Sequence, residues 1–181
     1  MQLKDMNIFI ITNSDEAYLI FKMMFLMYKN VTVVNSDFLA FMDKYENVEC
    51  IVSPANSYGY MNGGFDAAIS DYFGWNFQEK VQQYIKDNYY GEQLVGSSFI
   101  IDAPKNKKLI HTPTMIEPSI IKDETVVYTA MRSTLICALN NNIKSIVIPT
   151  FGTGTGEVSY QVAANLMRKG LHQILVAQNK N

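Results

Sequence analysis

Short apolar runs alternate along the chain with longer segments in which apolar residues recur every three or four positions. The short runs are rich in Val, Ile and Phe and are bounded by Asn, Asp, Gly or Pro, which is typical of buried β-strands. They predict six strands, at Asn7–Thr12, Val31–Asn35, Glu49–Ser53, Ser98–Asp102, Leu109–Thr112 and Ile146–Pro149.

The longer segments have the spacing of amphipathic helices. The clearest is Glu124–Asn140, in which Val127, Met131 and Leu135 fall on one face. The other predicted helices run from Asn13 to Tyr28, over Phe38–Tyr45, Phe65–Phe73 and Trp75–Asp87, and over a last segment that keeps its spacing from Val162 to Leu175.

The first and last helices carry finer predictions. Asn13, followed by Glu16 after three residues, is expected to cap the first helix. This helix is apolar on nearly every face, so we expect it to be largely buried. The last helix is expected to continue through Gly170, because its apolar spacing persists beyond that residue. A helix that stops at this glycine is the alternative.

The alternation of strands and helices predicts an α/β fold, a sheet with helices on both faces. Ligands of such proteins bind beyond the carboxyl ends of the strands. Three predicted strands end in small polar or proline-bearing sequences, Ser53–Asn56, His111–Thr114 and Pro149–Gly152. If these strands are adjacent and parallel, their ends form one crevice.

A glycine-rich loop follows the sixth predicted strand. Gly152, Gly154 and Gly156 precede the last helix, and this arrangement favours phosphate binding, since glycines let backbone N–H groups approach an anion. The loop carries no lysine, so main-chain donors would have to hold the phosphate. Its glycine spacing matches neither the P-loop nor the dinucleotide fingerprint, which excludes the common nucleoside triphosphatase and dehydrogenase functions.

A second glycine loop, Asn56–Gly64, follows the third predicted strand. Gly63 and Gly64 stand before a helix whose first turn carries Asp66. One interpretation is a tight turn in which Asp66 stabilises the helix N-terminus. Two such loops after two strands, with Asn and Asp beside them, favour a nucleotide-like ligand instead.

Composition narrows the class of protein. The chain has 181 residues, 48% of them hydrophobic and 18% charged, which predicts one soluble globular domain spanning 1–181. A net charge of −2 gives no electrostatic reason to expect a nucleic acid or membrane partner. The longest apolar stretch, 17–28, is interrupted by Lys22 and is too short to span a bilayer. We therefore expect a cytoplasmic protein, in the host cytoplasm if it is viral.

The cysteines and histidines give little sign of metal or redox chemistry. Cys50 and Cys137 lie in apolar runs and are predicted to be core residues without a disulfide. No metal-ligand cluster and no cofactor are expected. His111 lies in a predicted strand, which favours a packed, hydrogen-bonded histidine over a catalytic base. His172 and Arg132 are expected at the surface, with a phosphate contact as the alternative for Arg132.

Five segments in this order resemble the macro domain family. They are similar to the family's Gly-Asp-Ile-type strand ending, its Asn-Ala-Ala-Asn strand end, its Gly-Gly-Val-Asp loop, its Val-Ile-His-Thr strand and its last glycine loop. In this chain the five segments are, in the same order, Val33–Phe38, Cys50–Asn56, Asn62–Asp66, Leu109–Thr112 and Ile148–Gly156. The resemblance extends to a subset with Ser-Pro-Ala-Asn and Gly-x-Gly-Thr-Gly-type loops that includes phage tail-associated proteins.

The resemblance implies a three-layer α/β/α fold around a mixed sheet of about six strands. It also implies binding of ADP-ribose or a derivative, free or attached to a protein. Asp37 would accept a hydrogen bond from the adenine amino group, and Asn56 would contact the distal ribose. Gly63 and Gly64 would lie against that ribose and the diphosphate. Asp66 would position or activate water, which makes Asp66 and Asn56 the predicted catalytic residues.

The predicted ligand contacts extend beyond these residues. The aromatic side chain that many family members place late in the last loop is absent, and Phe151 or Tyr58 could supply one. The full predicted set is Asp37, Phe38, Ser53, Asn56, Tyr58, Asn62, Gly63, Gly64, Phe151, Gly152, Thr153, Gly154, Thr155 and Gly156.

Three functions remain open at this point. The first is hydrolysis of ADP-ribose 1″-phosphate, a mono-ADP-ribosylated protein or an O-acyl-ADP-ribose. The second is a non-catalytic reader of ADP-ribose-type nucleotides. The third is a structural role in phage or viral assembly, because a fold alone does not determine function.

Overall fold

The computed structural model describes residues 1–180. A short 3₁₀ turn, Leu3–Asp5, precedes the first strand. The strands are β1 (Asn7–Thr12), β2 (Val31–Asn35), β3 (Cys50–Ser53), β4 (Phe99–Ala103), β5 (Lys107–His111) and β6 (Ser145–Pro149). The helices are α1 (Asp15–Phe25), α2 (Phe38–Lys44), α3 (Gly64–Phe73), α4 (Phe77–Tyr89), α5 (Thr125–Asn140) and α6 (Tyr160–Gln178).

The strands form one mixed six-stranded sheet in the order β2-β1-β6-β3-β5-β4. β4 pairs antiparallel with β5, and the other neighbours pair in parallel. β3 therefore lies between β6 and β5 with all three strands pointing the same way, which is the condition for a shared crevice at their carboxyl ends. The predicted crevice at their carboxyl ends is confirmed.

Alternating side chains of the central strands build two cores. Ile8, Ile10 and Ile148 point to the face that α1, α5 and α6 cover. Ile11 and Val147 point to the opposite face, under α2, α3 and α4. Helices on both faces of the sheet confirm the predicted three-layer α/β/α architecture.

The first helix departs from its prediction in three ways. Its N-cap is Ser14, whose Oγ accepts from Ala17 N at 3.2 Å, while Asn13 stands outside the helix. The helix ends at Phe25 instead of Tyr28. It is also only half buried, since Met23 keeps 71% of its surface exposed. Only the face that carries Phe21 and Phe25 meets the core, and no other element of residues 1–180 covers the opposite side.

The remaining predicted elements are present: β1 and β2 have their predicted bounds, and the bounds of the others shift by at most three residues. Cys50 is fully buried in the core, as predicted, whereas Cys137 is only partly buried and packs against the core, and both are free thiols. Among residues 1–180, no helix combines the length and apolar composition that crossing a membrane requires.

Gly170 lies inside α6, so the prediction of a continuous last helix is confirmed. The glycine allows α6 to approach α5 closely. A Cβ at this position would lie 3.1 Å from Tyr128 O and 3.2 Å from Met131 Cβ. The residue is therefore required by helix packing and not by a helix end.

Gly170→Val is expected to lower the free energy of unfolding by about 2 kcal/mol, because the added side chain meets the α5 backbone, which cannot move aside cheaply. Urea denaturation followed by circular dichroism measures the change. Lys169→Val, at the exposed neighbouring position, is the control and should change stability by less than about 0.5 kcal/mol. Equal effects of the two substitutions would contradict the close packing.

Candidate functional site

A cleft of about 610 Å³ opens at the carboxyl ends of the central strands. Its two long walls are the glycine loop after β6, Thr150–Gly156, and the loop after β3, Pro54–Gly64. The ends of β1 and β2 close one side, and Thr114, Met115 and Pro118 border the cleft after β5. A volume of this size suits a small organic ligand.

The glycine loop offers unpaired backbone donors. Within residues 1–180, the N–H groups of Gly154, Thr155 and Gly156 donate to no carbonyl and to no side chain. Two backbone hydrogen bonds hold the loop in this shape. Glu157 N donates to Gly154 O at 3.0 Å, and Val158 N donates to Gly152 O at 3.0 Å. Successive free N–H groups in such a loop form a concave site for an anion.

Ile121 supports the glycine loop from behind, a role that the sequence did not suggest. Its N–H donates to Gly156 O at 2.9 Å, and its side chain packs under Gly152 and Gly156. A Cβ on Gly156 would lie 2.6 Å from Gly152 O, so no other residue fits there without moving the loop. Gly152 also has a φ of +77°, which favours glycine.

Asn56 folds the opposite loop. Its Oδ1 accepts from Tyr58 N at 3.2 Å and from Tyr60 N at 3.3 Å, and its Nδ2 donates to Tyr60 O at 3.1 Å. The second amide hydrogen has no acceptor among the described residues, and the side chain borders the cleft. Asn56 can therefore both hold the loop and donate one hydrogen bond to a ligand.

Asp66 is a buried carboxyl at the edge of the cleft. It lies in the first turn of α3, keeps only 6% of its surface exposed, and accepts from Ser53 Oγ at 2.5 Å. Burial raises the pKa of Asp66 to about 7, although the Ser53 hydrogen bond acts to lower it. A carboxyl with this pKa can take up or release a proton near neutral pH, which suits a general base.

Asp37 also borders the cleft, at the start of α2. Its Oδ1 caps α2 by accepting from Ala40 N at 2.9 Å. The second carboxylate oxygen has no partner among residues 1–180 and can accept a hydrogen bond from a ligand. Phe38 lies beside it and packs against Phe65 with ring centroids 5.2 Å apart.

The cleft brings together most of the predicted ligand contacts. Eleven of the fourteen border it, namely Asp37, Phe38, Asn56, Asn62, Gly63, Gly64, Gly152, Thr153, Gly154, Thr155 and Gly156. The predicted catalytic residue Asp66 borders it as well.

Three predicted contacts lie elsewhere. Ser53 is fully buried behind Asp66. The Tyr58 hydroxyl donates to Glu92 Oε2 at 3.1 Å outside the cleft. Phe151 is fully buried in the core under α5 and α6, so it offers no aromatic surface to a ligand.

Several cleft residues were missed from the sequence. Tyr160, the first residue of α6, and Tyr60 supply the aromatic surface that Phe151 and Tyr58 do not. The full set of missed polar and aromatic residues is Thr12, Asn13, Ser36, Tyr60, Phe65, Thr114, Thr150 and Tyr160. The ends of β1 and β2 carry the polar residues Thr12, Asn13 and Ser36, but only the strand order places them here.

The charge of the cleft is unusual for an anion site. Asp37 and Asp66 are the charged side chains among its described lining residues, and no Lys, Arg or His joins them. Within residues 1–180, no group of His, Cys, Asp or Glu is arranged to hold a metal ion. Any anion bound here is therefore held by backbone and neutral side-chain donors.

The histidines and Arg132 lie outside the cleft. His111 is fully buried, its Nδ1 lies 2.5 Å from Gln93 Oε1, and its ring stacks on the ring of Phe99. The prediction of a packed histidine is therefore confirmed. Burial lowers the pKa of His111 to about 3, which keeps the ring neutral. His172 is exposed, and half-buried Arg132 donates to Gln173 Oε1 at 2.8 Å.

Comparison with known proteins identifies this arrangement. The model of the Macro domain family matches residues 52–167, which include both glycine loops and more than half of the chain. The chain belongs to the macro domain family.

A related protein and solved macrodomains agree with this assignment. An uncharacterised protein from Aquifex aeolicus is 35% identical over 123 residues, 67% of this chain and 71% of that protein. A mutant Oceanobacillus iheyensis macrodomain with ADPR superposes with a TM-score of 0.64 at 17% identity, covering 97% of this chain and 82% of that one.

The Trypanosoma brucei macrodomain in complex with ADP-ribose gives a TM-score of 0.59 at 20% identity, covering 72% of this chain and 53% of that one. At such identities the structural matches establish the macro domain fold alone. The likeness to phage tail-associated members stays a prediction.

Ser53→Ala is expected to raise the pKa of Asp66 above its value of about 7, because the substitution removes the hydrogen bond that favours the ionised carboxylate. A ¹³C NMR titration of the Asp66 carboxyl carbon measures the change. Ser70→Ala is the matched control, since Ser70 is buried on the same helix but donates to Met61 O. An Asp66 pKa that stays the same or falls in Ser53→Ala would refute the assigned coupling.

Proposed function

We propose that this macro domain binds ADP-ribose in the cleft and hydrolyses the bond between its distal ribose and a substituent. One observation carries the proposal. Three free backbone N–H groups, of Gly154, Thr155 and Gly156, share one cleft with the buried carboxyl of Asp66. This combination provides an anion site and a proton acceptor in the same cleft.

The diphosphate occupies the glycine loop in this proposal. Backbone N–H groups can hold a phosphate without a cation, because each donor carries a partial positive charge at a fixed position. The first turn of α3, at Gly64 and Phe65, faces the same cleft and adds the field of a helix N-terminus.

Asp37 and Asn56 determine where the two ends of the ligand lie in this proposal. The free oxygen of Asp37 accepts a hydrogen bond from the adenine amino group. Phe38 and Phe65 provide an apolar surface beside the base. The distal ribose then lies near Asn56, whose free amide hydrogen donates to a ribose hydroxyl. The O. iheyensis and T. brucei macrodomains described with ADP-ribose support this choice of ligand.

Hydrolysis uses Asp66 as the base. Its carboxylate takes a proton from a water molecule whose oxygen attacks the anomeric carbon of the distal ribose. The bond from that carbon to the substituent breaks, and the substituent leaves with the electron pair and receives the proton. The pKa of Asp66 near 7 allows the carboxyl to take and return this proton.

A non-catalytic reader of ADP-ribose is the second candidate. The burial of Asp66 favours this candidate. Its side chain is 6% exposed and hydrogen-bonded to Ser53, so a water molecule has limited access to the carboxyl. The two candidates share the binding mode and differ only in turnover.

Gly154→Val is expected to weaken ADP-ribose binding about 100-fold, because the new side chain enters the cleft and removes about two hydrogen bonds to the diphosphate. No atom lies within 4 Å of a Cβ at Gly154, so the fold should be unaffected. Calorimetric titration with ADP-ribose measures the affinity, and Thr129→Val on the exposed face of α5 is the control. Failure of the wild-type protein to bind ADP-ribose would refute both candidate functions.

Asp66→Ala is expected to lower turnover of an ADP-ribose derivative by about 100-fold or more while the Kd for ADP-ribose changes by less than about fivefold, since the base contributes to the reaction and little to binding. Chromatographic detection of released ADP-ribose gives the rate. Unaltered turnover would exclude Asp66 as the base. If the wild-type protein binds ADP-ribose but turns over no derivative, the reader is the correct function.

A further inference from the structure

An apolar stripe runs along the outer side of α1, where no other element of residues 1–180 covers the helix. It consists of Leu19, Met23, Leu26 and Met27, which recur at helical spacing on α1 and in the turn directly after it. Each of these residues keeps between 61% and 87% of its surface exposed. Single exposed apolar residues are common on proteins, but a contiguous apolar patch marks a surface that binds a partner.

A groove of about 450 Å³ on the neighbouring helix α6 is lined with basic side chains. They are Arg168, Lys169, His172 and Lys180, and no lining residue of the groove is acidic. Within residues 1–180 the one ion pair joins Lys108 to Asp102, so no carboxylate of the described residues neutralises the groove.

Charge is distributed unevenly along the chain. Residues 125–181, which include α5 and α6, contain five Lys or Arg and a single acidic residue, Glu157. They carry a net charge of +4, whereas residues 1–124 carry −6. The five cations are Arg132, Lys144, Arg168, Lys169 and Lys180. The overall charge of −2 therefore conceals the cationic character of α5 and α6.

The stripe and the groove lie side by side, and we call them together the α1–α6 surface. Both helices cover the same face of the sheet, and the Tyr28 hydroxyl, shortly after α1, lies 3.2 Å from His172 Nδ1. Tyr160 at the start of α6 lines the cleft, whereas the groove begins about two turns further on at Arg168. The groove and the cleft share no lining residue.

The charged residues next to the stripe are also basic. Between Glu16 and Asp37 the chain carries only Lys22 and Lys29 as charged residues. Both lysines are exposed. The acidic residues of α1 lie in its first turn, where Asp15 accepts from Asn35 Nδ2 at 2.6 Å.

This combination fits an anionic lipid surface. Protruding Leu and Met side chains can enter the headgroup region, while Lys and Arg beside them attract lipid phosphates. Protein interfaces are anchored mainly by Trp, Tyr and Arg, and the stripe contains none of these. A nucleic acid would contact the cations and leave the stripe exposed to water.

We propose that the α1–α6 surface attaches this protein to an anionic membrane. The stripe enters the headgroup region, the cations of the groove contact lipid phosphates, and the cleft stays open to solvent. The proposal does not depend on what the cleft binds.

Co-sedimentation of the full chain with vesicles provides the first test. The partition coefficient should be at least about 10-fold higher for vesicles of phosphatidylcholine and phosphatidylserine in equal parts than for phosphatidylcholine alone. It should fall as salt is raised, because salt screens exposed charges. ADP-ribose is absent from the assay, so the result is independent of the proposed function.

Two pairs of substitutions separate the contributions. Met23→Gln with Met27→Gln removes apolar surface without changing the charge, and Lys169→Glu with Lys180→Glu reverses two charges. Each pair should lower the partition coefficient on the anionic vesicles by about 10-fold or more. All four residues are exposed, so the variants should keep the wild-type melting temperature, measured by circular dichroism.

Matched controls use exposed residues on or directly after α2 and α4, the helices of the opposite face. They are Tyr90→Gln with Leu94→Gln, and Lys44→Glu with Lys86→Glu, and both pairs should bind the vesicles as the wild type does. Absence of co-sedimentation with the anionic vesicles, equal partition to neutral vesicles, or equal losses in variants and controls would overturn the proposal.

Discussion

The parallel pairing of β3 between β6 and β5 is the constraint on which the rest of the site depends. Parallel strands bring their carboxyl ends to one edge of the sheet, so the loops after β3 and β6 become opposite walls of one cleft. Helices α5 and α6 pack together on one face through Gly170. Val127 of α5 and Val158, two residues before α6, pack under Gly152 of the second wall. The cleft is thus a consequence of strand order and close helix packing.

The glycines of the site fall into two groups with different physical reasons. Gly152 and Gly156 are required by the fold, because a positive φ or the contact with Ile121 excludes a side chain. Gly63 and Gly154 have open space where a Cβ would stand. Their lack of a side chain therefore leaves room for a ligand. Substitutions at these two positions test ligand binding without disturbing the fold, whereas a substitution at Gly64, whose φ is +52°, also strains the backbone.

Local patterns predicted the elements and the two glycine loops, while long-range packing decided what they could not predict. The strand ending at Thr12 lies next to β6, and nothing in the local sequence specifies that order, so Thr12 and Asn13 were missed as cleft residues. Helix α1 was expected to be buried because its sequence is apolar all round. Its burial depends on a covering layer, which one face lacks, and Met23 remains exposed. Phe151 was misplaced because its side chain turns into the core next to the loop.

The central claim is that backbone donors of the last glycine loop hold a diphosphate without any cation. The most direct measurement is an amide ¹H–¹⁵N NMR titration with ADP-ribose. The account predicts that the largest shifts occur at the N–H groups of Gly154, Thr155 and Gly156, with smaller ones near Asp37. Shifts concentrated at the basic surface of α6 around Arg168 and Lys169, or no shifts in the glycine loop, would contradict it.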